Sequence, residues 1–192
     1  MTRFADCKVD DDIVARARLG DSSANEAVYR TYATAVYNLA FRLTRQKVLA
    51  EEVLQETFIE VLTKIGSYRC EAPLGFWIRE IAVNKYLMHL RSGWHRKSSR
   101  LESWASCGGE VPGPNPEHMD LENALDTLSP VSRTVLWLHD VEGYTHHEIG
   151  RLMGKSSSFS KSQLARAHKR LRSMLADDNE SEQQCMQLSN NY

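Results

Sequence analysis

Residues 142–172 read EGYTHHEIGRLMGKSSSFSKSQLARAHKRLR, and no acid follows Glu148 within them. Thr145-His-His-Glu148 has capping-box spacing: the Thr oxygen can accept from the Glu amide while the Glu carboxylate reaches back to the Thr amide. A helix is therefore predicted from 146, running through Ile149, Leu152 and Met153 to a stop at Gly154. Ser156 or Ser157 can cap the next helix. That helix gathers Lys161, Arg166, Lys169, Arg170 and Arg172.

A short helix, a tight turn containing Gly and a second helix rich in Lys and Arg have the layout of a helix-turn-helix. Cations on the second helix can bind phosphates and read guanine edges, and Ser and Gln suit other hydrogen bonds. An ordinary helical hairpin with a solvated basic face would carry the same charge. Adjacent His146 and His147 point about 100° apart on a helix, so capping explains their place better than metal binding does.

Upstream of this stretch, Ser129-Pro130 ends one helix (Leu121, Ala124, Leu125, Leu128) and starts another, with Ser as N-cap, Pro at the first helical position and Val135, Leu136 and Leu138 inside. Gly143 is read as its end. Residues 104–118, WASCGGEVPGPNPEH, break both helix and strand. Before them, four helical segments are legible from apolar spacings of three and four. DDDIVARARLG closes at Gly20, with Asp21 or Ser22 capping the next helix. The second carries Val28, Tyr29, Tyr32, Val36, Leu39, Ala40 and Leu43; the third, about 48–65, carries Val53, Leu54, Phe58, Val61, Leu62 and Ile65. The fourth, about 74–92, carries Leu74, Trp77, Ile78, Ile81, Leu87 and Leu90, with Trp77 read as core. The fold class is all-α: two small helical domains, 10–95 and 119–175, joined by a flexible acidic linker over 96–118 and followed by a polar, mobile tail over 176–192.

The chain has 192 residues, enough for one medium core or two small ones, and its net charge of −1 hides a segregation. Arg79, Lys85, Arg91, Arg96, Lys97 and Arg100 face one acid, Glu80; Glu102, Glu110, Glu117, Asp120, Glu122 and Asp126 follow without a cation; the basic helix comes next. Two basic blocks around an acidic stretch suggest two surfaces for one polyanion. No apolar run reaches the roughly 20 residues of a membrane span, and the amino end lacks a signal-peptide pattern, so a cytoplasmic protein without membrane insertion is expected. Four scattered cysteines show no metal or redox spacing. Neither a Gly-rich phosphate loop nor a Ser/His/Asp set nor H-E-x-x-H is present, so no catalytic residue, metal or cofactor is expected.

The strings DIVARARLGDSSANEAVYRTYATAVYNLAFRLT, LAEEVLQETFIEVLTKIGSYRCEAPLGFWIREIAVNKYLMHLR and LDTLSPVSRTVLWLHDVEGYTHHEIGRLMG resemble, in order, regions 2 and 4 of bacterial RNA polymerase sigma factors of the extracytoplasmic-function (ECF) type. The resemblance covers about residues 10–175. It implies a transcription initiation factor, not an enzyme, that binds core RNA polymerase through its β′ clamp helices and β flap and directs it to promoter DNA. Glu51, Glu52, Gln55 and Glu56 then occupy the clamp-binding motif. The loop 67–73 and the fourth helix would hold the melted minus-ten element. Single-stranded DNA needs stacking surfaces interleaved with cations, and Tyr68, Arg69, Asn84, Lys85 and Arg91 supply that mixture. The minus-35 contacts fall to Lys161, Gln163, Arg166, Lys169 and Arg170. The linker would run toward the RNA exit path; a plain disordered spacer would look the same.

Two departures stand out. The family carries apolar residues after the turn Gly and inside the recognition helix, where this chain has Lys155 and Ser160, while Phe159 is one position out of register with Leu164, Ala167 and Leu171. Either Phe159 rotates in, or the helix packs differently. In the clamp motif Leu49 stands where an acid is common, and Thr63 shares a helical stripe with Glu52 and Glu56. Phosphorylation of Thr63 would add about −1.5 to −2 charges there, which makes a Ser/Thr protein kinase an alternative to an anti-sigma factor as regulator; Thr63 as a plain surface residue is the simpler reading. The rival function is a stand-alone helix-turn-helix regulator, although no dimerisation heptad or effector pocket is legible.

Overall fold

The computed structural model describes residue 4, residues 6–98 and residues 123–189, of which 93–98 and 175–189 are described as backbone. Among the described residues all regular structure is helical. Two compact units result. The first contains α1 (Asp11–Arg18), α2 (Ser22–Thr44), α3 (Lys47–Lys64), a 3₁₀ turn (Ile65–Ser67) and α4 (Leu74–Ser98); the second contains α5 (described over 123–126), α6 (Pro130–Leu136), α7 (His146–Met153) and α8 (Ser157–Ser189). The expected linker falls almost wholly outside the described residues, as does Leu121. Backbone of α8 continues to Ser189, so 176–189, expected as a mobile tail, is the end of that helix.

In the first unit the apolar stripes meet between helices. Val28, Val36, Leu39 and Leu43 of α2 pack with Val53, Phe58 and Val61 of α3 and with Ile78, Val83 and Leu87 of α4, all buried. Each such side chain stabilises by about 1.5–3 kcal/mol relative to exposure. Thr57 is fully buried among them, and its hydroxyl donates to the Val53 carbonyl at 2.6 Å, so no polar group is stranded. Two residues assigned to core stripes lie outside them. Tyr29 is 43% exposed, touching Phe58 edge-on, and Leu62 is 41% exposed. Asp21 caps α2 through the amides of Ser23 and Ala24, and Gly20, at φ +86°, makes the turn before it. Hydrogen bonds from Ser23 and from Arg16 hold the Asp21 carboxyl well below the usual carboxylate range.

In the second unit Ala124, Leu125, Leu128, Val135, Leu136, Leu138, Ile149, Leu164 and Ala167 form the core. Buried Arg133 donates to the Leu125 carbonyl (3.4 Å) and lies 3.7 Å from Asp126, tying α5 to α6. Ser129 caps α6 with Pro130 at its first turn, as expected. The helix widens before reaching Gly143: Trp137–Val141 form a π turn in which the Glu142 amide bonds the Trp137 carbonyl. The capping box of α7 is closed in both directions, with Glu148 N to Thr145 Oγ1 at 3.2 Å and Thr145 N to Glu148 Oε2 at 2.8 Å. Thr145→Ala is expected to cost about 1 kcal/mol, lowering the melting temperature of this unit by about 4–8 °C. Thermal unfolding followed through the second unit's Trp137 checks this.

Candidate nucleic-acid and protein interfaces

The turn between α7 and α8 is set by backbone geometry. Gly154 adopts φ +65°, its amide bonding the Arg151 carbonyl, and the Lys155 amide bonds the Gly150 carbonyl at 2.8 Å. Left-handed backbone of this kind favours glycine. Ser156 Oγ then caps α8 by accepting from the Phe159 amide at 3.2 Å. These contacts build the helix-turn-helix. On α8, Lys161, Arg166, Lys169 and Arg170 are exposed on one side of a helix whose other side is anchored by Leu164 and Ala167. Gln163 differs from them: it is half-buried, and its Oε1 accepts from Ser132 Oγ of α6 at 2.9 Å. It faces the protein through that oxygen.

The register puzzle in α8 resolves in favour of serine. Ser160 is fully buried in line with Leu164 and Ala167, while Phe159 is half-buried beside that line. The hydroxyl avoids the cost of an unpaired polar group by bonding His146 Nδ1 of α7 at 3.0 Å.

In the first unit α3 presents Glu51, Glu52 and Gln55 to solvent. Val48, Ile59 and Leu62 are also exposed, and 48, 52, 55, 59 and 62 follow the spacing of one helical face. A surface of acids interleaved with large apolar groups suits a protein partner better than solvent alone. Of the apolar members, Leu62 reads as core in the sequence because its spacing also fits the core stripe. Glu56 is half-buried and meets His89 Nε2 of α4 at 3.0 Å, so it links α3 to α4 as much as it faces outward. Thr63 is exposed, its hydroxyl donating to the Ile59 carbonyl at 2.6 Å.

Among the single-strand candidates Arg69, Asn84 and Arg91 are exposed, Arg69 lying 3.7 Å from Glu71. Lys85 is held by Glu60 of α3 at 2.6 Å, and hydrogen bonds from Lys64 and then Lys85 keep the Glu60 carboxyl below its ordinary pKa. Any strand that uses Lys85 must compete with that carboxylate. Tyr68, expected as a stacking surface, requires correction. It is buried, its ring lies against half-buried Trp77 with centroids 5.2 Å apart, and its hydroxyl donates to the Ala72 carbonyl. A hydroxyl satisfied within the loop and a ring packed on indole leave no open face for a base. Phe76 supplies one instead: it is 42% exposed, with the Arg79 guanidinium 4.6 Å from its ring centroid. An aromatic face beside a cation is what stacking on single-stranded DNA requires. Its position outside the apolar stripe of α4 was the available signal.

Family models match both units: Sigma-70 region 2 over residues 28–96 and Sigma-70 region 4 over 118–171. The chain is 34% identical over 170 residues to the ECF RNA polymerase sigma factor SigE of Mycolicibacterium smegmatis, covering 82% of this chain and 65% of that relative, just under two thirds of its length. It is 30% identical to the RNA polymerase sigma factor CarQ of Myxococcus xanthus, covering 84% and 95%. The fold is shared with the sigma factor RpoE of Bartonella quintana, solved in complex with the anti-sigma factor NepR: TM-score 0.58, 20% identity, 79% of this chain and 96% of that one.

Proposed function

The chain belongs to the RNA polymerase sigma factors of the ECF type, and from that premise we propose that it is a transcription initiation factor that binds core RNA polymerase and directs it to specific promoters. The polymerase performs the chemistry; this chain supplies recognition. The observation that carries the reading is the pairing, in order, of a region 2 unit with exposed α3 acids and a region 4 unit with an exposed basic α8. Residues 10–95 bind the polymerase and the minus-ten strand, and 119–175 bind the minus-35 duplex. Glu51, Glu52 and Gln55 face the β′ clamp helices, with Glu56 at the edge of that surface, and the second unit meets the β flap. Phe76, Arg69, Asn84 and Arg91 hold the separated strand, joined by Lys85 once it leaves Glu60. Lys161, Arg166, Lys169 and Arg170 contact the duplex, with Gln163 in a supporting place.

Control acts at the polymerase-facing side. Thr63 is exposed on α3, on the same helical face as Glu52 and Glu56. Phosphorylation by a Ser/Thr kinase would there add about −1.5 to −2 charges and compensate for Leu49, which stands in place of an acid. An anti-sigma factor, as in the complex of the Bartonella relative, is the competing mode of control.

Run-off transcription from genomic fragments with purified core polymerase tests both levels, comparing unmodified protein with Thr63→Glu. Transcripts from the unmodified protein establish the sigma role and favour a separate inhibitor. Transcripts from the Glu variant alone favour phosphorylation, and a Thr63→Ala strain that keeps full inducible output removes it. If neither protein binds core polymerase while the isolated chain binds duplex DNA tightly, a stand-alone regulator replaces the sigma reading.

A further inference from the structure

Some of the contacts that seat α8 are polar and titratable. Buried Ser160 bonds His146 of α7, and the His146 ring stacks on His139 with centroids 4.3 Å apart and planes 19° from parallel. His139 Nδ1 lies 2.7 Å from Asp140 Oδ1, and Asp140 Oδ2 lies 2.6 Å from His168 Nε2. Ser160 and His168 both belong to α8, while the π turn presents His139 and Asp140. Beside Leu164, Ala167 and the Ser132–Gln163 bond, the recognition helix is thus also held at two places through an imidazole. An ionised carboxylate only accepts hydrogen bonds, so His139 and His168 both donate to Asp140, which neutral imidazoles can do.

We propose that His139, Asp140, His146, Ser160 and His168 form a proton-responsive seat for the recognition helix, fixing α8 while His146 is uncharged and loosening it as His146 takes up a proton. Its consequence for promoter binding rests on the reading of α8 as the DNA helix; the seat itself does not.

The charge count gives the direction. Three imidazoles can carry three positive charges, and Asp140 balances one. The other acids nearby are engaged: Glu142 accepts from the Trp137 indole at 3.3 Å, and Glu148 closes the α7 capping box. From α8, Lys161 acts on His146 as a further positive charge, and Arg172 Nε bonds the His168 carbonyl at 3.3 Å. On α7, His147 and Arg151 are exposed and add no negative charge. A second charge on the stacked pair would place two cations face to face, where like charges repel. Burial pushes the Asp140 carboxyl up, but the hydrogen bonds from His139 and His168 outweigh it, so it stays ionised below the ordinary carboxylate range.

Desolvation, followed by His139 and Lys161, lowers the pKa of His146. The unfolded chain, titrating at about 6.5, then binds a proton that the folded chain resists. The contribution of His146 to stability is therefore full above pH 6.5 and is lost as pH falls from there toward the lower folded value.

Hydrogen exchange on the full chain tests the seat without DNA. After correction for intrinsic exchange, amide protection over 157–170 is expected to fall several-fold between pH 7.5 and 6.0, with the α2–α4 core unchanged. In His146→Gln, whose amide can still bond Ser160 and never ionises, protection over 157–170 should stay flat. Asp140→Asn, which removes the one balancing charge, should lose more protection than the wild type over the same fall in pH. Flat wild-type protection, or an equal fall in His146→Gln, overturns the proposal. DNA fragments selected by the holoenzyme at pH 7.5 should then be released at pH 6.0 by the wild type and retained by His146→Gln. Equal release by both would remove the seat from promoter binding even if the exchange result held, while failure to select any fragment would count against the sigma reading alone.

Discussion

Gly150→Ala is expected to disable the second unit while sparing the first. A Cβ at Gly150 would lie 2.8 Å from the Lys155 carbonyl oxygen, 3.0 Å from Ser156 C and 3.1 Å from Ser157 N, all backbone atoms of the turn that leads into α8. No side chain can swing aside to relieve this contact, so the turn itself must move. Overpacking of this kind costs about 1–3 kcal/mol, and it falls where α8 receives its direction. Local exchange protection over α7 and α8 should drop by about one to two orders of magnitude, since about 1.4 kcal/mol corresponds to tenfold, and minus-35-dependent DNA binding should fall with it. Gly154→Ala is the comparison. Space around Gly154 is open, so only its φ of +65° is strained, at about 1–2 kcal/mol without a clash. If the two variants unseat α8 equally, backbone conformation rather than the close approach at Gly150 governs the turn.

Reversing charge at Glu51 and Glu52 together should remove polymerase binding without disturbing the fold. Both side chains are exposed on α3. A partner surface that attracts acids would meet two lysines instead. Like charges set against each other at an interface cost several kcal/mol, so affinity for core polymerase should fall about a hundredfold or more, equivalent to about 3 kcal/mol. The loss should be largest at low salt, where surface charges are least screened. Titration of core polymerase at two salt concentrations, with helix content measured in parallel, reads this directly. Undiminished binding by the double variant would move the polymerase contact off this face, leaving exposed Val48, Ile59 and Leu62 to be tested in turn.

The legible parts of this molecule were those whose physics is local. A capping box needs four consecutive residues, so Thr145 and Glu148 announced α7; Ser129-Pro130 announced α6 in the same way, and Asp21 marked the start of α2. The basic face of α8 was visible because charge and helical period suffice to define it. What could not be read depends on partners elsewhere in the fold. Lys85 reads as a free cation until Glu60, twenty-five positions earlier, is brought to it. Tyr68 reads as a stacking surface until Trp77 covers it. Leu62 reads as a core residue, and only the direction in which α3 packs shows it to be surface. The π turn had no local signature at all, and with it went the meeting of His139, Asp140 and His168.

The separation into two units, each closing its own core, also bears on the timing of synthesis. Among the described side chains the last deeply buried one of the first unit is Leu87, and the core of the second includes Ala167. At translation rates of about 5–20 residues per second, the roughly eighty residues between them take about 4–16 s, long compared with the microseconds to milliseconds in which small helical domains fold. The amino-terminal unit is thus complete, with its α3 surface formed, while the second unit is still on the ribosome.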